Sequence, residues 1–348
     1  MDSDLQITLC GPAEAALWDE YVERCPTTTV CHHFLWQHVI KAAYGHEPVY
    51  LLAREGNTVR GICPLFIVRS RLFGKSLTSM PFLDYGGVCA DNDTIAQHLI
   101  DEALRQMTVH GLDFVEIRQY GPLPNLGTSR SDKFGMVLDL SPGTEAVWKS
   151  LPAKVRNQVR KAEKSGLTVT IGGGELLDDF YPVFAVNMRD LGSPVHDKDF
   201  FAQIFTAFGP QVRLIMVWDG KRSVGGLICF SFKETVTVPW ASCLREYFPK
   251  CPNNILYWEA LRYTCNMGGR KFDFGRSSLD SGTYNFKQQW GALPIPISWQ
   301  LIGHKAQPNL AFSAGTNSKL LLALEAWKRL PVAVATLIGP RIRKYLTN

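Results

Sequence analysis

Two stretches far apart in the chain show the same apolar pattern, each broken once by an acidic residue followed by glycine. Tyr50–Val68, YLLAREGNTVRGICPLFIV, sets apolar runs on either side of Glu55-Gly56-Asn57, and Leu214–Phe232, LIMVWDGKRSVGGLICFSF, does the same around Asp219-Gly220. Each pattern predicts a β-hairpin. Further on, EALRQMTVHGLDFVEIR (Glu102–Arg118) parallels EALRYTCNMGGRKFDFGR (Glu259–Arg276). Both read as a helix, a glycine break and a strand that closes on arginine. The matched order of hairpin, helix and strand predicts one structural unit written twice.

Other segments fit around this repeat. Leu151–Val169 contains PAKVRNQVRKAEKS, in which Val155, Val159 and Ala162 form one stripe of a helix and Arg156, Arg160 and Lys164 the opposite one. Gly166 supplies its stop. The final segment carries LLLALEAWKRL, then the apolar VAVATLIG, then a basic Arg341-Ile342-Arg343-Lys344. At 348 residues, and roughly 150 residues per domain, two domains are expected, and the mixture of hairpins, helices and strands makes the fold class α+β with mixed sheets. The expected divisions are 1–145, 146–304 and a helical tail over 305–348, with Ser141-Pro142-Gly143 as punctuation.

Composition narrows the function little. A hydrophobic share of 46% and a charged share of 20% are ordinary for a globular protein. A formal charge of +5 suits an anionic substrate or membrane surface but falls short of a dedicated nucleic-acid binder. The opening MDSDLQITLC lacks the features of a signal peptide, and no apolar run reaches membrane-spanning length. The expected location is the cytoplasm or the inner face of the membrane, and nine irregularly spaced cysteines read as reduced thiols.

The densest chemical signal is Phe272–Gly291, FDFGRSSLDSGTYNFKQQWG. Phe272 and Phe274 alternate with Asp273 at the strand period, and Gly275 is expected to end the strand. Past a polar loop, Phe286 and Trp290 share one helix face, with Lys287 turned away from it beside Tyr284. Asp273, Arg276 and Lys287 are thereby expected at the C-terminal end of one strand, where open sheets commonly place ligands. The opposing reading of Lys287 is a snorkelling side chain that covers Trp290. On the basic helix, Arg156 and Arg160 suit bidentate contact with phosphate or carboxylate, against a plain solvated face.

This segment resembles the terminal motif of the FemAB-related transferases, which carry two tandem GNAT-like acyltransferase domains. PLFIVRSRLFGKSLTSMPFLDYGG, LPAKVRNQVRKAEKSGLTV, LGSPVHDKDFF and PNNILYWEAL extend the similarity over most of the chain. They point more narrowly to the FemAB-like proteins of exosortase (PEP-CTERM) and exopolysaccharide systems. The resemblance implies transfer of an acyl or aminoacyl group to an amine of a cell-envelope or exopolysaccharide precursor, with no tightly bound cofactor and no metal. Lys287 would stabilise the oxyanion, with Asp273 and Tyr284 beside it. Arg156, Arg160, Arg276, Asp84, Tyr85 and Trp290 would bind substrate. The donor is aminoacyl-tRNA or acyl-CoA, and the acceptor an anionic small molecule or a lipid-linked glycan or peptide. SCLREYFPKCPNN lacks the Gly-rich loop that grips CoA pyrophosphate in ordinary GNAT enzymes, which weakens the CoA reading. Two alternatives stay open, a CoA-dependent GNAT enzyme and a non-catalytic module that binds an anionic glycan precursor.

Lesser features carry weaker expectations. His196 in LGSPVHD is a candidate general base in what reads as a pocket lid. Gly172-Gly173-Gly174 lacks P-loop spacing and reads as a flexible linker. Cys25, Cys31, His32 and His33 match no standard zinc spacing. Residues 319–346 would either lie on an anionic membrane, clamp the body, or form a homodimer contact. The sequence leaves the oligomeric state open.

Overall fold

The computed structural model describes residues 5–70, 74–121, 123, 128–303 and 318–347. The first part of the chain forms β1 (Leu5–Leu9), α1 (Ala15–Arg24), α2 (Leu35–Tyr44), β2 (Glu47–Glu55), β3 (Thr58–Ser70), β4 (Gly74–Ser79), β5 (Cys89–Ala90), α3 (Asp93–Val109) and β6 (Phe114–Tyr120). There follow β7 (Thr128–Asp139), α4 (Thr144–Ser150), α5 (Ala153–Lys164), β8 (Leu167–Gly172), α6 (Leu177–Leu191), α7 (Lys198–Phe208), β9 (Val212–Asp219), β10 (Arg222–Phe232) and β11 (Thr235–Cys243). The last elements are α8 (Pro252–Asn266), β12 (Lys271–Ser278), α9 (Gly282–Gln288), β13 (Leu293–Ile302), α10 (Ser318–Lys328) and α11 (Val332–Arg343).

The chain divides into two compact units. Among the described residues the first takes those up to 133 together with 296–303 and 344–347, and the second takes 134–295 and 318–343.

In the first unit the strand order is β1-β2-β3-β4-β6-β13, with β5 beside β3. The expected hairpin is β2 and β3, antiparallel from Glu47 opposite Ile67 to Glu55 opposite Thr58. β4 pairs with β6 in parallel, so the chain must cross over between them, and α3 lies in that crossover. Asn92 starts the helix by accepting a hydrogen bond from the Ile95 amide at 2.9 Å. Its apolar stripe, Ile95, Leu99, Ile100, Ala103 and Met107, packs in one buried cluster with Leu51, Leu65, Leu77 and Val115 of the sheet.

The second unit repeats this plan. Its order is β7-β12-β11-β10-β9-β8, with β9 and β10 as the second hairpin and β11 parallel to β12. Here α8 makes the crossover. Val155, Val159 and Ala162 of α5 are buried in the same cluster as Leu256 and Ala260 of α8, as the stripe on the basic helix predicts. The repeat read from the sequence is therefore present in space.

Where the units begin and end departs from a linear division. β13 follows the second unit's elements in the chain, yet its residues Ile297–Ile302 pair antiparallel with Tyr120–Val115 of β6 in the first. Helices α10 and α11 belong to the second unit and pack on α6. There the Leu330 carbonyl accepts from Arg189 Nη1 at 2.8 Å. Residues 322–343 thus clamp the second unit, one of the three readings for the tail. Gly172–Gly174 is not a loose linker. The Gly173 amide donates to the Glu175 carboxylate at 2.7 Å, so a carboxylate of the chain itself occupies the place a phosphate would need.

Candidate active site

The site in the second unit is built by β12 and α9. β12 does not end at Gly275 but continues to Ser278, with Gly275 at φ 73°, a conformation that favours glycine. Asp273 explains the bend, since its Oδ1 accepts from the Gly275 amide at 2.8 Å. Strand alternation would send Asp273 to the side opposite Phe272 and Phe274, yet all three are buried. Asp273 stands opposite Thr237 of β11, within a sheet covered on both faces.

A short loop then leads to α9. Ser281 caps it, its Oγ accepting from the Tyr284 amide at 3.2 Å. Phe286 and Trp290 anchor the segment to the core, Phe286 lying 5.3 Å from the Tyr257 ring and 6.2 Å from that of Trp290. Trp290 falls just past the helix, and its amide closes a turn onto the Lys287 carbonyl at 3.1 Å.

Anchoring that face turns Lys287 inward. The side chain is 7% exposed, and Nζ donates to the Gly275 carbonyl at 3.0 Å and to the Arg276 carbonyl at 2.8 Å. An ammonium held this way is not snorkelling towards water over Trp290. It is fixed on the bend that Asp273 and Gly275 create, so Asp273 positions the carbonyls that in turn hold Lys287. Tyr284 is buried, edge-on to Phe134 at 6.2 Å. Arg276 is half-buried and contributes its carbonyl to Lys287. Trp290, expected among the substrate-binding residues, is 2% exposed in the core, and its Nε1 has no hydrogen-bond partner among the described residues.

The basic helix α5 keeps its cations outward. Arg160 is exposed, lying 5.6 Å above the Trp148 ring, and Lys164 is exposed as well. Arg156 is half-buried, and its Nε is buried without a partner. Such a donor is costly to leave unmade and suits an anionic ligand.

Asp84 and Tyr85 belong to the first unit. They sit in a tight corner in which Met80 and Phe82 have φ of 38° and 75°. A Cβ on Gly86 would lie 2.3 Å from Met80 Cγ. Asp84 is half-buried, while Tyr85 is buried and stacked on Tyr120 at 4.2 Å. Sequence reasoning missed Arg118 in the same unit. This residue is fully buried and donates to Glu116 at 3.1 Å and to the Leu83 carbonyl at 3.3 Å. It also donates to the carbonyl and hydroxyl of Thr347, and its guanidinium lies 4.2 Å above Trp299. The signal was the arginine towards the end of β6, matching Arg276 towards the end of β12.

His196 does not serve as a base in a mobile lid. It is 1% exposed and stacked on Phe200 at 4.7 Å, and its Nε2 accepts from Arg343 Nε at 3.0 Å. Burial, with the nearby Arg343 charge, pushes its pKa well below the usual histidine value. Among the described residues no group of three or more His, Cys, Asp or Glu is placed to hold a metal ion. No helix there is long and apolar enough to cross a membrane.

Known proteins share this fold. A FemAB family model matches residues 19–218, and an acetyltransferase (GNAT) domain model matches residues 149–288. No curated protein matches the chain. Among solved structures, the chain is similar to FemX at a TM-score of 0.66 and 14% identity, over 85% of this chain and 97% of that one. It is similar to L-PGS from Bacillus licheniformis at 0.57 and 10% identity, over 98% of both chains. A tandem GNAT protein from the clavulanic acid biosynthesis pathway matches at 0.54 and 12% identity, over 88% of this chain and 100% of that one. At such identities the structures establish a shared tandem GNAT-like fold.

Proposed function

The chain belongs to the FemAB family and is an acyltransferase, and we propose that it moves an aminoacyl group from an aminoacyl-tRNA to an amine of a cell-envelope or exopolysaccharide precursor. One observation carries the reading: an ammonium, Lys287 Nζ, is fixed on the Gly275 and Arg276 carbonyls at the bend of β12. In the proposed reaction the acceptor nitrogen attacks the donor ester carbonyl, and the carbonyl oxygen takes up negative charge beside Lys287. The ester C–O bond then breaks, and the proton lost from nitrogen passes to the departing ribose oxygen. No covalent intermediate and no tightly bound cofactor is needed. A cation already in place stabilises charge as it develops, without reorganisation. Holding donor and acceptor together supplies roughly 7–11 kcal/mol more.

Arg156, with its unpartnered buried Nε, and Arg160 would hold phosphate or carboxylate groups of the substrates, with Arg276 as a further anchor. Placement with the exosortase-associated subgroup belongs to the same proposal and rests on the sequence segments quoted above. Exposed Leu322, Val334, Leu337 and Ile342 on α10 and α11, with Arg341 among them, support a peripheral membrane contact at the cytoplasmic face.

The test is a titration of the protein with charged tRNA, uncharged tRNA and acetyl-CoA at two salt concentrations. Saturable binding of charged over uncharged tRNA, weakening steeply with salt, is the expected result. Preference for acetyl-CoA would replace the donor. Binding of neither would overturn the proposal in favour of a module that only binds glycan precursor.

A further inference from the structure

Of the nine cysteines, two meet within the first unit. Cys25 ends α1, its amide donating to the Tyr21 carbonyl at 2.9 Å. Cys89 opens β5 and pairs with Ile62 of β3. Between them stands Thr27, whose Oγ1 lies 3.3 Å from Cys25 Sγ and donates to Cys89 Sγ at 3.8 Å. Both sulfurs thus lie against the same hydroxyl oxygen.

An imidazole completes the cluster. His32 Nδ1 accepts from the Thr29 amide at 3.0 Å, so the neutral ring carries its proton on Nε2. That nitrogen lies 3.3 Å from Cys89 Sγ and is the donor to it. The His32 backbone is itself tied, its carbonyl accepting from Trp18 Nε1 at 2.7 Å. Exposure differs between the sulfurs: Cys89 is 5% exposed, whereas Cys25 is half-buried. A small solute therefore reaches Cys25 first, with Cys89 behind it.

We propose that Cys25 and Cys89 form an oxidisable dithiol, with Cys25 the sulfur that attacks a hydroperoxide and Cys89 the sulfur that resolves the product to a disulfide. In the first step Cys25 thiolate bonds to the distal peroxide oxygen, the O–O bond breaks, and the leaving hydroxide or alkoxide takes a proton. Cys25 becomes a sulfenic acid. Next, Cys89 sulfur attacks Cys25 sulfur, the S–O bond breaks, and hydroxide leaves with the Cys89 proton as water. Two thiols are oxidised by two electrons and one peroxide is reduced.

The hydrogen bonds support this division of roles. Donation from Cys89, helped by the Thr27 backbone amide, overcomes the opposing effect of burial and pulls the Cys25 thiol down to about 4. The same bond, together with burial, pushes Cys89 up. The thiol that is pulled down is thus the more exposed of the two. The resulting cross-link would tie the end of α1 to the strand just after the corner that holds Asp84 and Tyr85. The dithiol does not depend on the transfer reaction.

The experiment treats the full chain, native and reduced, with one equivalent of hydrogen peroxide and maps the peptides by mass spectrometry. A Cys25–Cys89 linked peptide that dithiothreitol reverses is the expected product. In Cys89→Ser, dimedone should label Cys25. Because a variant can misfold, wild-type protein is also alkylated with iodoacetamide at pH 5, where Cys25 should react on the order of tenfold faster than half-buried Cys265. That figure allows for the lower intrinsic nucleophilicity of an acidic thiolate. Cross-links through other cysteines, or Cys25 alkylated no faster than Cys265, would overturn the proposal.

Discussion

Replacing Lys287 by methionine keeps most of the side-chain volume and removes only the charge and its two hydrogen bonds. Two separate magnitudes are involved. A developing oxyanion about 4 Å from Nζ, at an effective dielectric near 20, is stabilised by about 4 kcal/mol. Losing that should slow the chemical step about a thousandfold, in line with removal of one oxyanion donor elsewhere, about 3–4 kcal/mol. The Gly275 and Arg276 carbonyls, now at 3.0 and 2.8 Å from Nζ, would lose a charged donor, which should cost about 2–4 kcal/mol of stability. Single-turnover transfer and a urea melt measure these independently, and donor affinity measured alongside should stay within about threefold if Lys287 acts mainly on the transition state. If Lys287→Met turns over within about threefold of wild type, the oxyanion role is wrong. A lower midpoint with normal turnover would leave Lys287 as a brace for the bend alone.

Three further outcomes are expected. Arg156→Ala should raise the apparent KM for an anionic substrate about tenfold, leave kcat near wild type, and lower the salt dependence of binding, all readable from steady-state kinetics at two salt concentrations. Gly86→Ala should destabilise the chain by about 2 kcal/mol or more in a urea melt, because Gly86 has φ 114° and a Cβ there meets Met80. His196 is neutral when folded but titrates near 6.5 when unfolded, so below that pH the unfolded chain takes up a proton the native state refuses. Its contribution should be complete above pH 6.5 and fall below it by up to about 1.4 kcal/mol per pH unit. Urea midpoints should show that slope reduced in His196→Gln, while His33 and His46, lowered chiefly by burial, add to it in wild type.

What the sequence disclosed was local. The two acidic-Gly turns, the paired Glu-Ala-Leu-Arg helices and the stripe of Val155, Val159 and Ala162 depend on neighbours a few residues away, and periodicity exposes them. Lys287 was legible for the same reason, since Phe286 and Trp290 fix which way their helix turns. Longer-range facts were not legible. Nothing in LPIPISWQLI tells that β13 pairs with β6. The burial of Asp273 depends on a sheet covered on both faces, which alternation cannot reveal. His196 does lie in a loop, but its burial was not legible because Arg343, which bonds it, is far along the chain. Arg118 was noticed only as the last residue of a pattern, because its partners Leu83 and Thr347 lie in distant segments.

The pairing of β13 with β6 has a consequence for how the molecule is made. A ribosome releases β6 long before β13, and at about 5–20 residues per second the interval is roughly ten to forty seconds. Throughout that time the first unit lacks its last strand, and the edge of β6 that Ile297–Ile302 will cover presents unpaired amides and carbonyls. The earlier unit therefore completes its sheet only after every strand of the second unit has been made. A gene cut between the two copies, natural as it looks on paper, would yield a fragment with that edge bare, whereas moving the 296–302 strand to follow β6 would cover it.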